Sequence, residues 1–410
     1  MQEDSLMIVI PRNQEDIEYP EAFEDNLKAN EHTKVLSFEL DKYERYEIKL
    51  TIDERLYTIW LSLEKVEIPG FIRIDHQFSP KDVETIQKSR IGLGVNMIYN
   101  GDARICFYDQ IRIISIMVPS VVAVMDIPSE KLISGKWLRL AAESKVMPSP
   151  RYLFTVQAIN DEGTDEVWLH SHGLKRCGLY EIEILDSSKD TYNEHYHVIE
   201  TMAYRMLESE ESIEPGEPVM NARLQDGDAL VTTAVEWKEA LNFYPGVKFG
   251  NKNDRDEYHG EDYYVLMAYE SPDDADMKIY TKIQDYGRRL ADNPMFLIST
   301  PETERMSALA RERISYLVFA FENLDCECIA KIGLKTDPEY QEDMPREHIW
   351  FEVKGFRDGK IIGELTQEPY YVSGIKPGDT GEYSYDDVTD WIIFTKEGRI
   401  TPDDVYLISK

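Results

Sequence analysis

A chain of 410 residues is too long for one ordinary core, so two or three domains are expected. Hydrophobic content of 42%, with 25 Tyr, 14 Phe and 6 Trp, supplies enough apolar area to offset backbone ordering and argues against disorder. The formal charge of −33 repels a phosphate backbone, which argues against nucleic acid; it reads first as a solvated surface and second as one shaped for another protein, a basic one.

The first eleven residues lack a basic n-region, and the apolar run 6–10 is too short for a signal peptide. No later run approaches the length of a membrane span, so a soluble cytoplasmic protein with no membrane partner is expected. Four cysteines fit that reducing compartment as free thiols. Along the chain, 6–10 reads as a strand, Pro20 opens a polar helix to about residue 27, and strands follow at 34–40, 46–52 and 57–63. Ser79-Pro80-Lys81-Asp82 is a helix start, with a capping hydroxyl, proline in the first turn and a carboxylate against the exposed amides; that helix should stop near Gly92. Ile91-Gly92-Leu93-Gly94 follows a helix, whereas a dinucleotide fingerprint follows a strand and opens a helix, so no cofactor is expected from it. Runs 95–99 and 103–107 flank Asn100-Gly101-Asp102 as a hairpin, 110–118 is apolar up to Pro119, and 121–125 reads as a buried strand.

Residues 152–159 and 166–170 bracket a turn at 160–163, and 180–185 adds a strand that could share their sheet. From Thr191, the side chains Tyr192, His195, Tyr196, Ile199, Met202, Ala203 and Met206 recur every three or four residues, which is the buried stripe of a helix. The Glu-, Pro- and Gly-rich stretch 208–218 reads as a linker. Ser299-Thr300-Pro301-Glu302 then opens a helix with a face of Met306, Leu309, Ala310, Ile314, Leu317, Val318 and Phe321. Finally, Trp350, Glu352 and Lys354 alternate with Ile349, Phe351 and Val353, and Asp358-Gly359 supplies the positive φ angles of a two-residue hairpin loop. Turns at Pro377-Gly378-Asp379 and Lys396-Glu397-Gly398 separate further short strands, which together describe a compact barrel or rolled sheet.

Glu347-His348-Ile349-Trp350, Gly363-Glu364-Leu365, Lys376-Pro377-Gly378-Asp379 and Asp390-Trp391-Ile392 resemble the bacterial domain of unknown function 2314. The runs 119–126, 137–144, 168–178 and 302–306 are similar to the bacterial domain of unknown function 4026, which is typically joined to the first. These resemblances imply a fold and no activity. The organisation expected is α+β: an N-terminal region 1–210, a middle region 219–324 and a β-rich region 325–410, with mixed sheets, packed helices and a terminal barrel-like or rolled sheet.

Candidate chemistry is sparse. His170-Ser171-His172 on a strand points two imidazoles to one face, first-shell geometry for a metal, with Cys177 or His195 as the third ligand; packed histidines beside turns at Gly173 and Gly178 are the alternative. His195 and His197 cannot form a second pair on a helix, because residues two apart face different sides. The loop 250–260 gathers acid, guanidinium and imidazole, enough to hold an anion, though local pairing in a solvated connection is the preferred reading. Cys326-Glu327-Cys328 places two thiols on one face at a spacing shorter than structural zinc sites use. Trp350 and Trp391 read as core, or else as an aromatic interaction surface with His348 and Asp390. No phosphate-binding loop, nucleophile elbow or zinc-protease helix occurs. The leading expectation is therefore a non-enzymatic protein-binding module without cofactor, neutralisation of a basic toxin being one version by family analogy. The competing one is a metal-dependent hydrolase using His170, His172 and Cys177.

Overall fold

The computed structural model describes residues 3–408 apart from 44, 210, 257, 292–293, 297–299 and 343. It divides into two compact units, Met1–Ala142 with Pro148–Ser299, and Glu143–Met147 with Thr300–Lys410. Helices and sheets occur side by side throughout, and the class is α+β.

The first unit opens with a seven-stranded antiparallel sheet of β1 (Ser5–Pro11), β2 (Thr33–Leu40), β3 (Tyr46–Ile52), β4 (Arg55–Lys65), β5 (Ile91–Met97), β6 (Val121–Asp126) and β7 (Lys131–Ser134), in the order β2-β3-β4-β5-β1-β6-β7. Helices α1 (Pro20–Ala29), α2 (Pro80–Lys88), α3 (Ala103–Met117) and α4 (Gly135–Glu143) accompany it. Ser79 caps α2 by accepting the Asp82 amide, with Pro80 in the first turn, as its sequence requires.

The hairpin expected around Asn100-Gly101-Asp102 does not form. Asp102 instead accepts the Arg104 amide at 2.9 Å and caps α3, which absorbs both 103–107 and most of the apolar run 110–118. That helix buries Phe107, Ile111, Ile113 and Ile114 together with Asp109 and Gln110, so it lacks the solvated face that gives a helix its period in sequence.

A second sheet contains β8 (Thr155–Asn160), β9 (Glu166–His172), β10 (Ile182–Ser188), β11 (Val219–Arg223), β12 (Ala229–Glu236), β13 (Tyr264–Tyr269), β14 (Thr281–Lys282) and β15 (Met295–Phe296). Its order is β15-β11-β12-β13-β10-β9-β8, with β14 also on β13, and only β10 and β13 run parallel among these pairs. The amphipathic α5 (Tyr192–Glu208) lies between β10 and β11 and buries His195, Ile199, Met202, Ala203 and Met206, the stripe read from sequence. Short helices α6 (Trp237–Ala240), α7 (Pro272–Met277) and α8 (Gly287–Ala291) complete this part.

Because β10 pairs with β13, one sheet continues across 208–218. The stretch 208–218 therefore joins strands of one compact unit, and the two units part at 142/143, 147/148 and 299/300. Local composition marks a solvated connection, but only long-range pairing decides whether the flanking elements share a core.

In the second unit, α9 (Thr300–Glu312) and α10 (Ile314–Asn323) flank Arg313, so the single helix expected there is two. Thr300 starts α9, and the alternative cap Ser299 lies outside the described residues. Six antiparallel strands follow: β16 (Glu327–Lys335), β17 (Arg346–Arg357), β18 (Lys360–Leu365), β19 (Thr380–Ser384), β20 (Val388–Thr395) and β21 (Gly398–Ile400), in the order β19-β18-β17-β16-β20-β21. The sheets of the structure include a curled half-barrel. Ile349, Phe351 and Val353 are buried while Glu352 and Lys354 are exposed, as the period-two pattern demands. Asp358 and Gly359 take φ of 48° and 75° in the two-residue turn between Arg357 and Lys360.

Candidate metal centre

Strand β9 places Trp168, His170 and His172 on one face, since alternate side chains of a strand share a side. Ser171, between the two histidines, donates to Glu181 at 2.6 Å, and the same carboxylate accepts the Gly173 and Lys175 amides at 2.8 and 3.1 Å. The chain turns sharply at Gly173, whose φ is +108° and whose missing Cβ would lie 2.4 Å from the Leu153 carbonyl. Strand and turn are thus fixed immediately beside the two imidazoles.

The third side chain of the cluster is neither Cys177 nor His195. Cys177 points its thiol at the Gly173 carbonyl, 3.7 Å away, and burial raises its pKa to about 12. His195 sits on α5 with Nδ1 2.7 Å from the Ser187 hydroxyl. Instead, His259 arrives from the loop before β13, and ligand-capable atoms of His170, His172 and His259 lie within 4.8 Å of one another. Among the described residues this is the one group of three or more His, Cys, Asp or Glu side chains that converges in this way. Ring centroids stand 4.9 Å apart for His170 and His172, 4.8 Å for His170 and His259, and 5.2 Å for His172 and His259.

The loop bringing His259 is the polar segment 250–260, and its charges hold its own shape. Arg255 donates to both oxygens of Glu183 on β10 at 2.8 and 3.1 Å and to the Gly250 carbonyl at 2.7 Å, with its guanidinium 4.4 Å from the centre of the Trp237 ring and 5.3 Å from that of Trp168. Gly250 permits this approach, because a Cβ there would meet the Leu185 side chain at 2.5 Å. Asp256 accepts the Tyr258 and His259 amides at 2.9 and 2.8 Å and faces His259 Nδ1 at 3.2 Å. A carboxylate on one ring nitrogen directs the other away from it, the orientation that metal-bound histidines receive from their supporting shell.

Electrostatics favour neutral, ligand-ready rings. Burial, then the neighbouring His172 and His259, holds His170 well below the ordinary imidazole value. Burial, then His259, lowers His172 to about 3, and burial also lowers His259 against the opposing pull of Asp256. His170 is fully buried and neither of its ring nitrogens has a hydrogen-bond partner; the same is true of buried His172 Nε2. An imidazole with both nitrogens unsatisfied is costly to bury, roughly 1–3 kcal/mol per group, unless something else satisfies it. Glu130 Oε2 lies 3.9 Å from His172 Nε2, and burial, then Glu181, pushes that carboxyl up to about 7.

Sequence reading thus identified the His170–His172 pair and missed its partner. His259 stands 87 positions from His172 in the chain, and the available signal was an acid three residues before an imidazole in a glycine-bounded loop.

The proposed aromatic surface in the second unit divides between two faces. Trp391 is fully buried and donates through Nε1 to the Ala310 carbonyl at 2.9 Å, so it belongs to the core. Trp350 and Asp390 flank Lys331 across β17, β16 and β20, with Lys331 Nζ 5.6 Å from the centre of the Trp350 ring, and exposed His348 contacts Thr389 at 3.1 Å. Asp390 accepts the Trp391 amide at 2.8 Å.

The family model for the N-terminal part of a protein of unknown function (DUF4026) matches residues 5–148, and the one for its C-terminal part matches residues 156–267. A third, for an uncharacterized protein conserved in bacteria (DUF2314), matches residues 320–401. No curated protein and no solved structure matches the chain.

Proposed function

The chain belongs to the bacterial family of proteins of unknown function 4026, joined to the domain of unknown function 2314, and since neither name carries an activity we propose from the site geometry that it binds a divalent transition-metal cation through His170, His172 and His259. One observation carries this reading: a fully buried His170 with both ring nitrogens unpaired, facing two further neutral imidazoles. Three nitrogen donors suit zinc and its neighbours in the first transition row better than calcium or magnesium, which take oxygen. Three protein ligands leave a further coordination position for water, and Glu130 stands beside His172. The hydrolase reading is therefore carried by the same centre, with His259 in place of Cys177.

Elemental analysis of untagged protein should find close to one equivalent of metal. Adding zinc at about a hundred times its dissociation constant to the metal-free form should stabilise it by about 2.7 kcal/mol. His170→Ala or His259→Ala should abolish the effect, and Asp256→Ala should weaken affinity roughly 10–100-fold by releasing the His259 ring. A metal-free preparation whose melting temperature ignores zinc overturns the proposal, and hydrolysis with it.

A second reading, association with a basic protein, is favoured by the charge of −33 and by Trp350 on the outward face of the C-terminal sheet. We expect a stoichiometric partner whose retention falls with salt and is lost in Trp350→Ala. Recovery of none at low salt counts against it. All four cysteines are free, as a reducing cytoplasm would keep them, and we propose that compartment; among the described residues, no helix is long and apolar enough to cross a membrane.

A further inference from the structure

Helix α10 ends at Asn323, and β16 begins at Glu327. Cys326 lies in the connection and Cys328 is the second residue of the strand, so one exposed residue, Glu327, separates them. An extended chain sends residues two apart to one side, and the two sulfurs stand 3.7 Å from each other, in van der Waals contact. Cys326 also points its thiol at the Ala320 carbonyl in the last turn of α10, 3.4 Å away, which holds the side chain against the junction. Cys328 is buried opposite Ile393 of β20. The other two cysteines are placed differently: Cys106 points at the Asn100 carbonyl and Cys177 at the Gly173 carbonyl.

We propose that Cys326 and Cys328 form a redox-modifiable dithiol that is oxidised to an intrachain disulfide by a low-molecular-weight disulfide. Access orders the chemistry, because Cys326 is half-buried and Cys328 is buried. The Cys326 thiolate attacks one sulfur of the small disulfide; that S–S bond breaks, a mixed disulfide forms on Cys326, and one small thiol leaves. Cys328, held in contact, then loses its proton, attacks the Cys326 sulfur and releases the second small thiol. The protein gives up two electrons and two protons, and the small disulfide takes up both as two thiols. Contact between the sulfurs makes the second step intramolecular and pre-oriented, which offsets the burial that raises the Cys328 thiol above its ordinary value.

The loop such a bond closes holds a single intervening residue, so it removes little entropy from the unfolded chain. Stabilisation is therefore not its role. A bond that adds little stability is readily reversed by a thiol reductant, which is what a signal of redox state needs.

The test uses the full-length reduced protein incubated with glutathione disulfide, followed by whole-protein mass and peptide mapping. Wild type should lose the mass of two hydrogens, with the change confined to the peptide joining Cys326 and Cys328 and reversed by dithiothreitol. Cys328→Ser should stop at a stable glutathione adduct on Cys326. Cys326→Ser, which alters only the half-buried partner, should remain unmodified. A persistent adduct on Cys326 in the wild type, oxidation mapped to Cys106 or Cys177, or no reaction in native protein whose thiols all react once unfolded, would each overturn the proposal.

Discussion

At the scale of single residues, the histidines divide by what occupies their ring nitrogens. His195 has a hydroxyl partner on Nδ1 and only its Nε2 is unpaired, whereas neither nitrogen of His170 has a partner, which is why we propose His170 and not His195 as a ligand. Both are buried, so burial alone does not separate a structural from a functional imidazole. The structural kind nonetheless leaves a pH signature. Burial lowers His195 to about 4 in the folded state, below the ordinary value of 6.5. A group depressed on folding contributes stability that is complete above 6.5 and is lost as the unfolded chain takes up protons and the pH falls towards 4. At about 1.4 kcal/mol per unit, His195 accounts for roughly 3 kcal/mol over that window. We expect urea midpoints of the wild type to fall between pH 6.5 and 4 and those of His195→Gln to fall less steeply. Parallel slopes for the two proteins would rule this assignment out.

Elements differ in how much of their conformation is local. The turn at Asp358-Gly359 follows from steric rules that act within four residues, since positive φ at both central positions is what a tight hairpin needs and what Gly tolerates. At Asn100-Gly101-Asp102 the same class of residues does something else: only Gly101 takes positive φ, at 101°, and Asp102 caps a helix. The difference lies downstream, where residues 103–117 pack as a helix buried on almost every side, and Gln110 donates to the Ser5 and Val95 carbonyls at 2.8 and 3.1 Å. The loop 250–260 is intermediate. Its Asp256 turn is local, while its position depends on Arg255 reaching Glu183, 72 residues earlier in the chain.

On the scale of the first unit, one buried ion pair joins the regions matched by the two DUF4026 models. Arg176 donates through two nitrogens to the two oxygens of Asp126, at 2.5 and 2.8 Å, and both side chains are fully buried. Arg176 also donates to the Ser5 hydroxyl at 3.2 Å and to the Leu153 carbonyl at 3.0 Å, so strands β1 and β6 of the first sheet and the chain leading into β8 meet at one guanidinium. Such a pair offers little net stability over an apolar substitute, but removing one partner strands the other in the interior. Asp126→Ala should therefore cost roughly 3–5 kcal/mol in denaturant unfolding, whereas Asp126→Ala combined with Arg176→Met should recover part of the loss. Equal losses in the single and double variants would refute the coupling.

The sequence by itself determined whatever depends on near neighbours: the α+β class, most strands of the first sheet, the capped start at Ser79, the alternation from Ile349 to Val353, and the shared face of His170 and His172. Periodicity, capping and turn chemistry act over a few residues, so they are written locally. Tertiary structure decided that 208–218 joins two parts of one sheet, that Trp391 faces inward while Trp350 faces out, and that the third imidazole is His259. Each of these depends on which distant segments exclude water together. Burial and strand pairing across tens of residues are properties of the assembled core, and no short window of residues encodes them.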